Sequence, residues 1–330
     1  MITLTPQGLY CRPGKFYIDP SRAVEHAVVT HAHSDHARRG SARYYCASVG
    51  TSLLKVRLGK NIAVQGFEYG EIFELGGVQI SLHSAGHILG SAQVRIEYQG
   101  EVWVISGDYK RDFDPTCHPF DPVTCDVFVT EATFGTPAFQ WKKNIDVGKQ
   151  IYEWWNENSQ LGLNSVLFAY SLGKAQRVLG VLKPYAQRPI YCDTPVSPLT
   201  ECYRKQGIAL ADTICLSQLA PDQKLRGELF LVPQSFLKTT KAQVLGENFQ
   251  TAFASGWMAQ GTRGYSKGFV MSDHADWNDL LETIFQSRAQ RIYVQHRGNG
   301  ALVKHLRNMG LQAFSDSHLK PSIEKQLELF

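Results

Sequence analysis

Residues 30–36 read Thr-His-Ala-His-Ser-Asp-His and place three imidazoles and a carboxylate, His31, His33, Asp35 and His36, directly after the apolar run Ala27-Val28-Val29. Neutral imidazole nitrogen and carboxylate oxygen are donors that suit Zn²⁺ or a neighbouring transition ion. His31 and His33 share a side in extended chain and can serve one cation, while Asp35 and His36 can serve a second. A strand running into a tight turn would throw all four groups out together at its C-terminal end. The chain has 11 histidines in 330 residues, so a chance polar loop is a poor account of this density.

The elements that must position this loop can be read on either side of it. Residues 8–11 and 15–18 are expected as short strands joined at Arg12-Pro13-Gly14, the second running into a turn at Asp19-Pro20. Residues 47–58 read as a helix, and 61–82 as strands with Gly76-Gly77 at a hairpin turn. In the next stretch His87 stands between Gly86 and Gly90, where glycines let the backbone come close to a ligand or ion. Residues 101–106 form a strand that ends on Gly107-Asp108, and 126–130 one that runs into Glu131. Taken alone, Asp108 reads as a turn residue and Glu131 as a surface carboxylate at a strand end.

From about residue 140 to 266 the texture changes to alternating helices and strands. A helix is expected over 147–158 and a buried strand over 165–170, followed by Ser171-Leu172-Gly173-Lys174 at the start of a helix that runs through Leu182. Such a strand, glycine turn and helix start can hold a phosphate on backbone N–H groups. It is too loose for a Walker loop, and a plain αβ connection fits it equally. Further strands are expected at 189–192, 214–216, 229–232 and 251–255, the last ending on Ser255-Gly256. A helix over 278–288 and a strand over 291–295 follow, with His274 and His296 at element ends. A lone histidine is usually a satisfied core or surface residue, the reading given to His26, His118, His305 and His318, and His83 is read as structural.

The pattern His31-Ala32-His33-Ser34-Asp35-His36 resembles the HxHxDH motif of the metallo-β-lactamase-fold hydrolases, a motif that alone leaves glyoxalases, lactamases and nucleases open. Ala85-Gly86-His87 through Ala92 resembles the third motif of that family. Glu131-Ala-Thr-Phe-Gly135 looks like the acidic motif that opens the β-CASP insertion, the module that marks nucleic-acid-cleaving members. His274 and His296 stand where motifs B and C of that group require a histidine. The resemblance covers nearly the whole chain, and its compactness is most like the bacterial ligase-associated DNA exonucleases.

The resemblance implies an α/β fold, a metallo-β-lactamase αββα sandwich with an inserted α/β β-CASP domain: 1–139 and 267–330 form the first domain, 140–266 the insertion. It implies two divalent metal ions, Zn²⁺ or Mn²⁺. One would lie on His31, His33, His87 and Asp108, the other on Asp35, His36, His296 and the same Asp108, whose two carboxylate oxygens can bridge cations. Asp19 would hydrogen-bond to the histidine loop. His274 would stand by a scissile phosphate, oriented by Glu131, and with Asp35 these two make up the catalytic set. The implied activity is a two-metal phosphodiesterase acting as a DNA exonuclease from 5′ ends of single-stranded DNA, in repair. A 5′-phosphate pocket is expected from Ser171, Lys174, Ser255 and Gly256. Expected partners are nucleic acid, DNA ahead of RNA, with an ATP-dependent DNA ligase and a helicase by family association. An RNA-processing ribonuclease is the alternative, because a histidine at motif C is typical of RNA-processing members and Artemis-type DNA nucleases carry valine there. A small ester or thioester hydrolase of the lactamase fold would not need the insertion or the Glu131, His274 pair, and a dead scaffold would lack ligands that are present here.

Composition bounds these readings. A 43% hydrophobic and 19% charged chain is globular, and a net charge of +4 permits a polyanionic substrate only through a local basic patch. Seven cysteines without a CxxC pair argue against a disulfide framework or a thiolate zinc site. No apolar run reaches membrane-span length and no leader pattern opens the sequence, so a cytoplasmic protein with no membrane partner is expected.

Overall fold

The computed structural model describes residues 1–220, 223–262, 264–295 and 299–321. In chain order the first elements are β1 (Ile2–Thr5), β2 (Gly8–Cys11), β3 (Phe16–Ile18), β4 (His26–Val28), β5 (Arg43–Ala47), α1 (Thr51–Leu58) and β6 (Val64–Phe67). Strands β7 (Ile72–Leu75), β8 (Val78–Ser84), β9 (Ala92–Tyr98), β10 (Glu101–Ile105) and β11 (Val127–Thr130) follow. Next come α2 (Val147–Gln160), β12 (Asn164–Phe168), α3 (Lys174–Leu182), β13 (Ile190–Cys192), α4 (Ser197–Lys205), β14 (Thr213–Cys215), β15 (Leu229–Val232), β16 (Phe249–Ala254) and β17 (Lys267–Phe269). The chain ends with α5 (Trp277–Ser287), β18 (Arg291–Val294), α6 (Asn299–Asn308) and β19 (Gln312–Ser315). It is a mixed α/β fold that divides into two units.

The first unit holds Met1–Phe113, Cys117–Gln140 and the described residues from His274 on. Its sheets have the orders β1-β2-β3-β4-β5-β6 and β19-β18-β11-β10-β9-β8-β7. Phe16, Ile18, Val28 and Tyr45 of one sheet share a core with Ile80, Leu82, Val94, Ile96, Ile105, Val127 and Val129 of the other. Each such side chain, fully buried, contributes roughly 1.5–3 kcal/mol. The strand period of two sends Val104 and Phe128 to the opposite face, against Trp277, Leu280 and Ile284 of α5 and Leu302 and Leu306 of α6. β11 is buried at every position, and its sequence is apolar up to its last residue, Thr130. The helix expected over 47–58 starts later: β5 runs to Ala47, a 3₁₀ turn occupies Ser48–Gly50, and α1 begins at Thr51.

The second unit holds Trp141–Asp273 with Asp114–Thr116. Its sheet, β14-β13-β15-β12-β16-β17, is parallel throughout. β12 and β15 are buried along their whole length, as strands covered on both faces must be. Residue 267, expected to begin the return to the first domain, opens β17 instead, which pairs with β16 and keeps the chain in this unit to Asp273. Helix α4 had no expectation, although Pro198 at its first turn and the buried Leu199, Cys202 and Tyr203 at helical spacing carry the signal.

Candidate metal centre

The donor side chains of the first unit sit just past the C-terminal ends of its strands: Asp19 after β3, the histidine loop after β4, His87 after β8, Asp108 after β10 and Glu131 after β11. β3 runs parallel to β4, and β10 to β11, so neighbouring strands deliver their groups at one edge. A backbone bond from Ala92 N to Thr30 O (2.8 Å) ties the start of β9 to the histidine loop.

His31, His33, His87 and Asp108 each aim one donor atom into a cluster whose atoms all lie within 4.8 Å of one another. His33 Nδ1 is 3.1 Å from both His31 Nε2 and His87 Nε2. Asp108 Oδ2 is 3.5 Å from His31 Nε2 and 3.8 Å from His87 Nε2. Donors held tetrahedrally at about 2.0–2.2 Å from a Zn²⁺ would stand about 3.3–3.6 Å apart, so the cluster fits one such cation. Its chemistry fits too, since one imidazole nitrogen cannot make good hydrogen bonds to two others with a single proton. His36 Nε2 lies 3.4 Å from the same Asp108 Oδ2 and 3.8 Å from Asp35 Oδ2. His296 lies outside the described residues.

Asp19 sets the tautomers of this cluster. Its Oδ1 accepts from Thr30 N (2.8 Å), and its Oδ2 from the Thr30 hydroxyl (2.5 Å) and from His36 Nδ1 (2.7 Å). A carboxylate only accepts, so His36 Nδ1 carries the proton and Nε2 faces Asp108. The Thr30 hydroxyl, having donated to Asp19, accepts from His31 Nδ1 (3.1 Å) and leaves His31 Nε2 its lone pair. Asp19 does this from a left-handed backbone, φ 45°, a conformation its short polar side chain tolerates better than most. Thr30 and Ser91 had no assigned role in the sequence. Ser91 Oγ accepts from His87 N (3.0 Å) and Ile88 N (3.2 Å), closing the loop that carries His87.

Electrostatics follow from burial and from the company these groups keep. Burial, then the charge of His36, pushes the His31 pKa well below its ordinary value, which keeps it the neutral ligand form. At His36 burial works against the charged ring, yet Asp108 and Asp19 hold its pKa well above the usual one. Burial likewise opposes the Asp108 charge, but His36 and His274 hold its carboxyl well below the usual range.

The glycines around His87 also let protein segments approach one another closely. Gly86 has φ 68°, and a Cβ there would stand 2.2 Å from Lys110 O; Gly90 has φ 75°, and its Cβ would meet Gly50 Cα at 2.3 Å.

Glu131 and His274 also meet, with His274 Nδ1 at 2.9 and 3.0 Å from the two Glu131 oxygens. Glu131 is fixed in turn by Tyr109 N on Oε1 (2.9 Å) and Thr133 N on Oε2 (3.2 Å). The His274 and His87 rings are 4.8 Å apart between centroids, which puts this pair beside the cluster. His83 stays outside, bonded through Nδ1 to Asp121 Oδ2 (3.1 Å).

In the second unit, Lys174 is buried, pairs with Asp273 Oδ1 at 2.8 Å and donates to Met271 O at 2.5 Å. Ser255 is buried as well, and its Oγ accepts from Trp257 N (3.3 Å), one residue past Gly256. Ser255 O accepts from Met271 N at 3.4 Å, so Met271 links Ser255 to Lys174. Ser171 is half-buried and gives its carbonyl to Gln176 Nε2 (3.1 Å). The ammonium expected to face a terminal phosphate is thus held by a carboxylate of its own unit.

No protein-family model matches the chain. It is 28% identical over 330 residues, 98% of its length, to a protein named probable DNA ligase from Opitutus terrae, of which it spans 31%. It is 28% identical over 126 residues to the endoribonuclease YSH1 of Kluyveromyces lactis, a match to 38% of this chain and 16% of that protein. An RNase J-like protein of Methanocaldococcus jannaschii is 24% identical over 211 residues, 55% of this chain and 50% of that one. The chain therefore spans half or less of the length of each of these relatives. A solved structure of a protein of unknown function from Enterococcus faecalis V583 shares the fold, with TM-score 0.59 over 88% of this chain and 78% of that one at 13% identity. Together with a histidine and aspartate cluster that could hold a metal ion, these similarities are consistent with the β-CASP nucleases of the metallo-β-lactamase fold.

Proposed function

We propose that the chain is a two-metal phosphodiesterase acting on nucleic acid, an αββα sandwich of metallo-β-lactamase type carrying a β-CASP insertion. The observation that carries this reading is Asp108 Oδ2, set between His31 and His87 at 3.5 and 3.8 Å and His36 at 3.4 Å. His31, His33, His87 and Asp108 would hold one divalent ion. Asp35, His36 and Asp108 would hold a second, with His296 as its further ligand. The nitrogen-rich donor set favours Zn²⁺, with Mn²⁺ second. Bound there, the ions supply Lewis acidity and a hydroxide near neutral pH.

The protein's own groups then have separate tasks. Asp19 and Thr30 orient the imidazoles. Glu131 keeps a proton on His274 Nδ1, so that Nε2 can exchange one with the leaving oxygen, a contribution of about 10²–10⁴ in rate. The Glu131, His274 pair favours nucleic acid over a small ester, which needs no such group beside its metals.

DNA cut from 5′ ends, in repair beside a ligase and a helicase, is the substrate reading we favour; its DNA part draws support from a match, over 98% of this chain and 31% of the other, to a protein named probable DNA ligase. RNA is the second reading, supported by relatives named endoribonuclease and RNase J-like. End-labelled single-stranded DNA and RNA, with 5′-phosphate or 5′-hydroxyl and in linear or circular form, discriminate these when incubated with purified protein and Mn²⁺ or Zn²⁺. Fast stepwise shortening of linear DNA with circles intact is the expected result. Rapid cutting of circles would replace the exonuclease by an endonuclease, and preference for RNA would move the chain to the second reading.

A further inference from the structure

Between His36 and Lys60 the chain carries six cations, Arg38, Arg39, Arg43, Lys55, Arg57 and Lys60, and no Asp or Glu, although the whole chain sets 34 Lys and Arg against 30 acids. The segment leads straight out of the histidine loop through β5 and α1. Arg57 is half-buried and the other five are exposed. Among the described residues, none of the six has a carboxylate oxygen within 4.0 Å.

The fold gathers part of this charge at one place. Arg39, in the loop that follows His36, reaches the end of α1 and donates from Nε and Nη2 to Arg57 O at 3.4 and 3.0 Å. Burial, first, draws Arg57 below its ordinary pKa; Asp35 acts the other way, and Arg39 and Arg38 add to the lowering. The Arg38 and Arg39 guanidiniums therefore both lie within electrostatic reach of Arg57, next to the carboxylate that faces His36 Nε2 at 3.8 Å. Like charges held together repel, and an incoming anion relieves that repulsion. Guanidinium stays charged at any working pH, and its forked donors match phosphate oxygens.

We propose that Arg38, Arg39 and Arg57 form a track for the phosphates of a single-stranded nucleic acid that enters the metal centre past Asp35. This rests on the phosphodiesterase reading and adds to it the face of the first unit that the substrate backbone crosses. A nucleic acid is favoured over other polyanions because the cations adjoin the groups that would cut its backbone.

The test is binding of a fluorescein-labelled phosphorothioate oligonucleotide to the metal-loaded chain over a salt series, alongside steady-state cleavage of the ordinary strand. Arg38→Gln carries the least risk to the fold, since the bond made at Arg38 is through its backbone carbonyl, which accepts from the Tyr44 hydroxyl at 2.7 Å. Arg38→Gln and the double variant Arg38→Gln/Arg39→Gln should flatten the slope of log affinity against log salt by about 0.7 per cation removed. KM should rise while kcat and metal content stay put, and Lys304→Gln, on α6, should match wild type throughout. An unchanged slope and KM in a folded Arg38→Gln variant would overturn the track, even if the wild type cuts nucleic acid well. A wild type that binds strands with the expected slope but never cleaves them would remove the phosphodiesterase reading and leave the track standing. Binding to anionic vesicles in place of oligonucleotide would reject the track in favour of a membrane surface.

Discussion

His33 Nδ1 lies 3.1 Å from two other imidazole nitrogens, a crowding that a shared cation resolves better than any arrangement of protons. This part of the site was legible in the sequence, because HxHxDH places its donors within one loop. Asp19 was legible as a position only through the family resemblance; the reason it matters, one carboxylate fixing Thr30 and His36 together, needs the fold. Thr30 and Ser91 act through hydroxyls, which no spacing rule singles out. His274→Ala should keep its metals and lose about 10²–10⁴ in kcat. Metal analysis with single-turnover cleavage checks it, and an unchanged kcat would remove His274 from the chemistry.

At the scale of elements, the strands that carry the site declared themselves through apolar runs and through the polar residue that ends each run. β11 is the clearest case, with Val127, Phe128 and Val129 buried and Glu131 just beyond. Boundaries were less legible where tertiary pairing decides them: β17 stays with β16 because it completes that sheet's edge, and nothing local to residues 267–269 says so. The glycines were legible as necessary, but the segments they let approach were not. Gly86→Ala would place a Cβ 2.2 Å from Lys110 O at φ 68°. It should destabilise the protein by at least ~2 kcal/mol, seen as a lower denaturant midpoint with unchanged m-value. Wild-type stability in this variant would mean that the His87 loop is not packed as described.

For the molecule as a whole, charge and hydropathy said little beyond the absence of a span, and among the described residues no helix is long and apolar enough to cross a membrane. A net charge of +4 conceals the run of cations that follows His36. Lys174 shows how a motif can mislead: a Gly-Lys helix start looks phosphate-binding, yet its ammonium is buried on Asp273 at 2.8 Å. Lys174→Met leaves Asp273 the longer pair with Arg177 Nη1 (3.6 Å) and should cost about 1–3 kcal/mol of stability, read by denaturant unfolding, without altering the choice between 5′-phosphate and 5′-hydroxyl ends. A stable variant with altered end preference would return Lys174 to the substrate.

If Asp108 joins two groups of donors into one two-ion centre, calorimetric titration of the metal-stripped chain with Zn²⁺ reads it out as stoichiometry. Two ions should bind per wild-type chain, Asp108→Ala should lose tight binding, and His305→Ala, whose ring rests on Trp277 at 5.0 Å, should not change. A single ion per wild-type chain, or two ions still bound tightly by Asp108→Ala, would contradict it.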